Sequence, residues 1–112
     1  MVFGFGKKKI DIESLNEKVI IALRGVFDPE IPVNIYDLGL IYQIDITTEA
    51  VVSIQMTLTA PGCPVAQTFP GTVADAIRQV EGISDVTVEL VWDPPWTQER
   101  MTEAARLELG LL

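Results

Sequence analysis

The sequence contains no histidine and only one cysteine, Cys63, among its 112 residues. The lack of histidine removes the side chain that most often serves as a general base or as a zinc ligand. A single cysteine excludes an intrachain disulfide, which agrees with a reducing compartment. Because no general base accompanies the one strong nucleophile, an independent enzyme is the least favoured class of function.

Positive charge and long apolar segments are also scarce. Eight residues are basic against 16 acidic ones, which gives a net charge of −8. The one basic cluster is Lys7-Lys8-Lys9, so a surface for phosphate backbones is lacking and nucleic acid is not an expected partner. No apolar run reaches the roughly 18–20 residues that cross a bilayer, so a membrane is not an expected partner either.

The chain has the length of one domain. Residues 1–9 carry their lysines after the apolar residues, which is the reverse of a signal peptide, and we predict that they form a flexible tail. No internal repeat or linker follows, so residues 10–112 are predicted to form a single domain that resides in the cytoplasm.

Hydrophobic periodicity predicts the helices. A capping-box spacing at Ser14–Glu17 and apolar residues at four-residue intervals predict a first helix that ends at Asp28, before a proline. The apolar residues of this stripe are Leu15, Val19, Leu23 and Phe27. A second helix is expected to begin near Pro64 and to be kinked or restarted at Pro70, and a last helix is expected to be capped by Thr97.

Period-two alternation predicts three strands, over about residues 40–46, 52–59 and 86–92, with the first two joined as a hairpin. The order α-β-β-α-β-α, with one apolar face on each strand, predicts an α/β (α+β) two-layer sandwich. It comprises a small mixed three-stranded sheet with the helices on one face. The polar face is either open to water or buried by a second copy, which leaves a homodimer open.

Cys63 lies between a strand end and a predicted helix start, in the sequence Ala60-Pro61-Gly62-Cys63-Pro64. Free N–H groups and the positive end of a helix dipole favour an anion at such a junction, so the reactive thiolate form is expected. The alternative is a small buried residue with no chemical role.

Polar residues near Cys63 extend this candidate site. Thr57 and Thr59 lie on the polar face of the second strand, from which their hydroxyls can donate to a bound thiolate or sulfide; the alternative is that threonine simply favours strands. Asp28 and Glu30 are candidates to complete a metal site with Cys63. Their alternatives are a turn residue before proline for Asp28 and a solvated charge for Glu30.

Two tryptophans flank a Pro-Pro pair in Trp92-Asp93-Pro94-Pro95-Trp96. Such a rigid apolar element suits a core edge or a contact surface. By alternation we predict that Trp92 is in the core and that Trp96 is exposed to a partner.

Three segments carry a resemblance to a known family. The segments Asp28–Tyr42, Met56–Pro64 and Val91–Met101 resemble, in this order, motifs of the iron–sulfur cluster assembly domain family. Its members include SUF-system T proteins, the phenylacetate-degradation D protein and part of the eukaryotic cytosolic iron–sulfur targeting complex. The ending is similar to that of the stand-alone SUF-type members.

The resemblance implies an accessory factor in iron–sulfur cluster assembly, with family-typical residues at Asp28, Glu30, Asp37, Thr57, Thr59 and Cys63. It implies transient handling of iron, sulfide or an iron–sulfur cluster at Cys63, Thr57 and Thr59, with Asp28 and Glu30 as further metal ligands. Expected partners are the assembly machinery and client apoproteins, contacted through Trp96, Trp92 and Asp37. The alternatives are a metal-free adaptor for the same machinery and an accessory subunit of a phenylacetate-type multicomponent oxygenase.

Overall fold

The computed structural model describes residues 11–28, 31–59 and 68–111. Three helices and three strands follow one another along this part of the chain in the predicted order. They are α1 (Ile12–Leu23), β1 (Ile41–Ile46), β2 (Val51–Met56), α2 (Phe69–Arg78), β3 (Asp85–Leu90) and α3 (Glu103–Glu108). A short 3-10 turn, Gln98–Arg100, precedes α3. The predicted tail, residues 1–9, lies outside the described residues.

The sheet is mixed, as predicted. Its strand order is β1-β2-β3, with β1 antiparallel and β3 parallel to β2. Met56 pairs with Ile41 on one side and with Leu90 on the other, so the start of β1 and the ends of β2 and β3 meet at one end of the sheet. We call this the Met56 end. Two further backbone hydrogen bonds extend it, from Thr57 N to Leu40 O (2.9 Å) and from Val91 N to Met56 O (2.8 Å).

One face of the sheet forms the core. In β2 the side chains of Val52, Ile54 and Met56 are buried, whereas Ser53 and Gln55 between them are exposed. Helix α1 packs against β1 and α2, and α2 packs against β3. Each fully buried aliphatic side chain contributes about 1.5–3 kcal/mol. The helices therefore cover the apolar face, and the predicted fold class is confirmed.

The first helix differs from the prediction at both ends. Its N-cap is Asp11, whose carboxylate accepts a hydrogen bond from Ser14 N (3.2 Å), so Ser14 lies inside the helix. The helix ends at Leu23 rather than at Asp28. Phe27, predicted to continue the buried stripe, is 58% exposed and forms an isolated antiparallel bridge with Asn34. The prediction that Phe27 lies on a buried helix face is wrong.

The later helices were predicted less closely. In the described part of the chain α2 begins at Phe69, and Pro70 occupies its first turn, where a proline needs no backbone N–H. The predicted helix start near Pro64 lies outside the described residues. The N-cap of α2, Thr68, follows Cys63 by five positions. Helix α3 is capped by Thr102, which accepts from Ala105 N (3.2 Å), whereas the predicted cap Thr97 precedes the 3-10 turn.

The helices of the described residues are all too short or too polar to cross a bilayer.

Candidate functional site

Thr57 is a buried polar residue at the Met56 end of the sheet. Its exposed fraction is 0%, although the alternation of β2 places it on the side of the exposed residues Ser53 and Gln55. Among the described residues its Oγ1 has no hydrogen-bond partner. Leaving a buried hydroxyl unpaired costs about 1–3 kcal/mol. A fold retains such a group at a cost, so Thr57 is a candidate for contact with a ligand.

The other residues of the predicted sulfur site are only partly within the described chain. Thr59 is half-buried at the end of the described segment 31–59. Cys63 and Glu30 lie outside the described residues. The cluster-handling set of Cys63, Thr57 and Thr59 stays a prediction, and so does the role of Glu30. The predicted helix start beside Cys63 also lies outside the described residues, so the expected stabilisation of the thiolate stays a prediction.

Asp28 is buried, with 8% of its surface exposed. Its Oδ2 accepts a hydrogen bond from Ile31 N (2.8 Å), and its own N–H donates to Val33 O (3.2 Å). The carboxylate therefore closes a turn, as the alternative interpretation of the sequence states. Within the described ranges no three Asp, Glu or Cys side chains gather where they would hold a metal ion. The metal role of Asp28, together with Glu30 and Cys63, stays a prediction.

Asp37 organises the connection between α1 and β1. Its Oδ2 accepts from Asn34 Nδ2 (3.0 Å), and its N–H donates to Asn34 Oδ1 (2.8 Å). Its Oδ1 lies 3.5 Å from Arg24 Nε, in an ion pair at the surface. Arg24 also stacks on the ring of Tyr36, 5.0 Å from the ring centroid. Asp37 thus serves the chain's own structure, and its predicted contact with a partner stays a prediction.

The exposure of the two tryptophans differs from what the sequence predicted. Trp92 is 42% exposed, so its predicted place in the core is wrong. Strand β3 ends at Leu90, two residues earlier, and the alternation does not continue to Trp92. Trp96 is half-buried against the core, and its indole Nε1–H donates to Leu38 O (2.7 Å). Trp96 is therefore only partly exposed, and Trp92 offers the more exposed aromatic surface. The predicted contact of both tryptophans with a partner stays a prediction.

The last segment packs against the connection that leads into β1. Besides the Trp96 bond to Leu38, the N–H of Thr102 donates to Asp37 O (2.9 Å). Between these bonds the backbone of Arg100 passes so close to Gly39 that an added Cβ would lie 2.7 Å from the Arg100 carbonyl carbon. Gly39 also has φ +82°, which favours glycine. The first and third sequence motifs are thus in direct contact.

Sequence reasoning missed a cleft that this packing creates. It has a volume of about 400 Å³ and is lined by Gly39, Ile41, Tyr42, Pro94 and Arg100. The Tyr42 hydroxyl donates to Pro94 O (2.8 Å), and the Arg100 guanidinium lies 4.5 Å from the centroid of the Tyr42 ring. Periodicity carries no sign of this contact, because Tyr42 and Arg100 are far apart in sequence. Their occurrence in the first and third motifs was the available signal.

Comparison with known proteins places the chain among relatives of similar length. Residues 16–90 match the family model described as "Iron-sulfur cluster assembly protein". The chain is 46% identical over 96 residues to the Fe-S protein maturation auxiliary factor of Porphyromonas gingivalis, covering 86% of this chain and 91% of that protein. It is 37% identical over 86 residues to the Fe-S protein maturation auxiliary factor SufT of Staphylococcus aureus, covering 77% and 98%.

A solved structure supports the same assignment. The crystal structure of a domain of unknown function, DUF59, from Bacillus anthracis superposes with a TM-score of 0.81 at 35% sequence identity, covering 89% of this chain and 95% of that one. The resemblance that the three sequence motifs predicted is confirmed. The chain belongs to the iron–sulfur cluster assembly protein family.

Proposed function

We propose that this protein is an accessory factor in the maturation of iron–sulfur proteins, in which Cys63 transiently binds iron, sulfide or a cluster that passes to a client. The observation that carries the proposal is the buried hydroxyl of Thr57, which has no hydrogen-bond partner in residues 11–28, 31–59 and 68–111. It lies at the end of β2 and precedes Cys63 by six positions. Relatives named as Fe-S protein maturation factors, at 37% and 46% identity, support the same role.

The side chains fit a transient rather than a resident cargo. Iron–sulfur clusters are usually held by four cysteine thiolates, whereas this chain has one cysteine and no histidine. The remaining ligands must come from a client, a small thiol or a second copy of the chain. The Thr57 hydroxyl is a donor that can hydrogen-bond to a sulfur atom, and hydrogen bonds to sulfur tune such centres. Asp28 Oδ2 already accepts a hydrogen bond from Ile31 N, so a role as an iron ligand would add to its role in this turn.

Anaerobic reconstitution with ferrous iron and sulfide tests the proposal. The wild-type chain is expected to retain iron and sulfide after desalting, with charge-transfer absorption in the visible range. Cys63→Ala is expected to lose both, and Cys63→Ser to retain little. Thr57→Val keeps the shape of the side chain and is expected to bind iron less tightly. Equal retention by the wild type and Cys63→Ala would remove Cys63 as a ligand.

A metal-free adaptor is the second candidate, and the exposure of Trp92 favours it. Trp92 is 42% exposed, and tryptophan contributes strongly to protein interfaces. Under this alternative, Trp92→Ala weakens co-purification with the assembly machinery, whereas Cys63→Ala retains it. Trp96→Ala is a poor probe, because it breaks the bond to Leu38 O as well.

We assign no catalytic residue and place the protein in the cytoplasm, where reducing conditions keep a lone thiol available. Client apoproteins and the assembly machinery are the proposed partners. The oxygenase-subunit alternative predicts co-purification with oxygenase components instead, which the same experiment detects. Sedimentation of the purified chain tests the homodimer.

A further inference from the structure

The cleft between Tyr42 and Arg100 contains the Arg100 guanidinium, which forms no ion pair with a described residue. Arg24 pairs with Asp37, Arg78 pairs with Asp75 (2.9 Å), and Arg106 donates to Glu99 O (2.9 Å). In contrast, the Arg100 side chain has no ion pair or hydrogen bond with any of the described residues, and its one contact of this kind is the ring of Tyr42. Among the described arginines Arg100 is therefore the exception, in a chain that has 16 acidic residues against eight basic ones.

The contact with the ring leaves the hydrogen-bond donors of this guanidinium available. The Arg100 Cζ lies over the Tyr42 ring, and none of its N–H groups donates to a described residue. The guanidinium presents its N–H donors as a planar fork. The ring is itself fixed, because the Tyr42 hydroxyl donates to Pro94 O (2.8 Å). The backbone of Arg100 is fixed by its close approach to Gly39. The cation is therefore held in place before any ligand arrives, which lowers the entropic cost of binding.

From this arrangement we infer that the Tyr42–Arg100 cleft binds a carboxylate group that carries a small apolar body. The planar fork of an arginine matches a carboxylate with two parallel hydrogen bonds. The volume of about 400 Å³ lies within the range of small-ligand sites. Ile41, Pro94 and the Tyr42 ring provide the apolar walls.

A carboxylate suits the cleft better than a phosphate. A phosphate monoester carries a charge of about −1.5 to −2 at neutral pH, and a single guanidinium leaves part of it uncompensated. The chain as a whole has a net charge of −8, which adds to the repulsion of a dianion. Carboxylate binding in this cleft requires neither iron nor sulfide, so it can be tested independently of the sulfur chemistry proposed for Cys63.

The carboxylate has two possible sources, which share this chemistry: a free small acid, or an acidic side chain of a bound peptide. Titration of the metal-free, 15N-labelled full chain distinguishes them. The readouts are the Arg100 Nε–H resonance in the wild type and, in the wild type and all variants, the backbone amide resonances of the lining residues Ile41 and Tyr42. One arm uses sodium succinate. The other uses acetyl-Ala-Glu-Ala-amide, with acetyl-Ala-Gln-Ala-amide as the uncharged control. A saturable shift with succinate supports a free acid, and a shift with the glutamate peptide alone supports a peptide.

Variants of Arg100 distinguish specific binding in the cleft from a general effect of the charge of the chain. Arg100→Gln is expected to weaken binding by about tenfold or more, because it removes a charge-assisted hydrogen bond. Arg100→Lys is expected to retain part of the affinity, since it keeps the charge and loses the fork. Arg78→Gln, on α2 and outside the cleft lining, is the matched control and should bind as the wild type does.

Three results would overturn the inference. One is the absence of a saturable Arg100 shift with both succinate and the glutamate peptide. Another is equal affinity of Arg100→Gln and the wild type. The third is inorganic phosphate binding more tightly than succinate. Because Arg100 is exposed, these variants are expected to fold, and Tyr42→Phe provides a further probe: it keeps the ring but loses the bond to Pro94 O and is expected to weaken binding.

Discussion

Gly39→Ala tests the packing of the last segment on the connection before β1. The residue has φ +82°, a conformation that costs an L-amino acid roughly 1–2 kcal/mol. The added Cβ would also lie 2.7 Å from the Arg100 carbonyl carbon, where backbone rather than a flexible side chain must move. Overpacking of this kind costs about 1–3 kcal/mol. Together these effects predict a loss of about 2–5 kcal/mol in the free energy of unfolding.

Urea denaturation measures this loss, followed by the fluorescence of Trp96 in a Trp92→Phe background. Trp96 is a suitable probe because its indole bonds to Leu38 O, next to Gly39. Gly71→Ala is the matched control: in α2, a Cβ at position 71 meets no atom within 4 Å. This control should be neutral or stabilising by up to roughly 1 kcal/mol. A Gly39→Ala chain within about 0.5 kcal/mol of the wild type would refute the proposed close approach to Arg100.

The remaining predictions concern three other positions. Thr57→Val is expected to stabilise the fold by about 1 kcal/mol in thermal unfolding, because it removes a buried hydroxyl that no described residue pairs with. A clear loss of stability would mean that the hydroxyl is bonded. Trp96→Phe is expected to cost about 1–3 kcal/mol, since it leaves Leu38 O unpaired, and the exposed Trp92→Phe should cost less than about 0.5 kcal/mol. Ala50 has φ +64°, so Ala50→Val is expected to destabilise by about 1–3 kcal/mol and Ala50→Gly to change stability by less than about 1 kcal/mol; comparable urea midpoints for these two variants would contradict the assigned turn.

The element order was predictable because local patterns carry it. The alternation around Ile54 identified a strand with one buried face, and the structure buries Ile54 and exposes its neighbours Ser53 and Gln55. Helix ends were less predictable, since several side chains near a helix start can cap it. Asp11 competes with Ser14 for this role, and the choice depends on which turn packs best against the sheet. Phe27 lies beyond the point where a bridge to Asn34 replaces the helix.

The candidate site was predictable only as far as motifs point to it. Thr57 could be proposed as a site residue because it precedes Cys63 in the sequence. The burial of its hydroxyl, with no hydrogen-bond partner among the described residues, depends on tertiary packing. The partial burial of Trp96 has the same origin. The hydrogen bond from Trp96 to Leu38 O joins residues 58 positions apart, and no local pattern in the sequence reports such a contact. The Tyr42–Arg100 cleft is likewise a product of distant segments.

The width of the sheet has a consequence for the behaviour of the protein in solution. Strands β1 and β3 form the two sides of the sheet, and within the described chain neither is paired on its outer side. Open strand sides can accept a strand from another molecule and so start aggregation. Asp45 on β1, and Asp85 and Glu89 on β3, are exposed, so two approaching copies bring like charges together. Near the isoelectric point of about 4.3 the net charge of the whole chain vanishes, so the general repulsion between copies is weakest there and association through the strand edges is expected to be strongest.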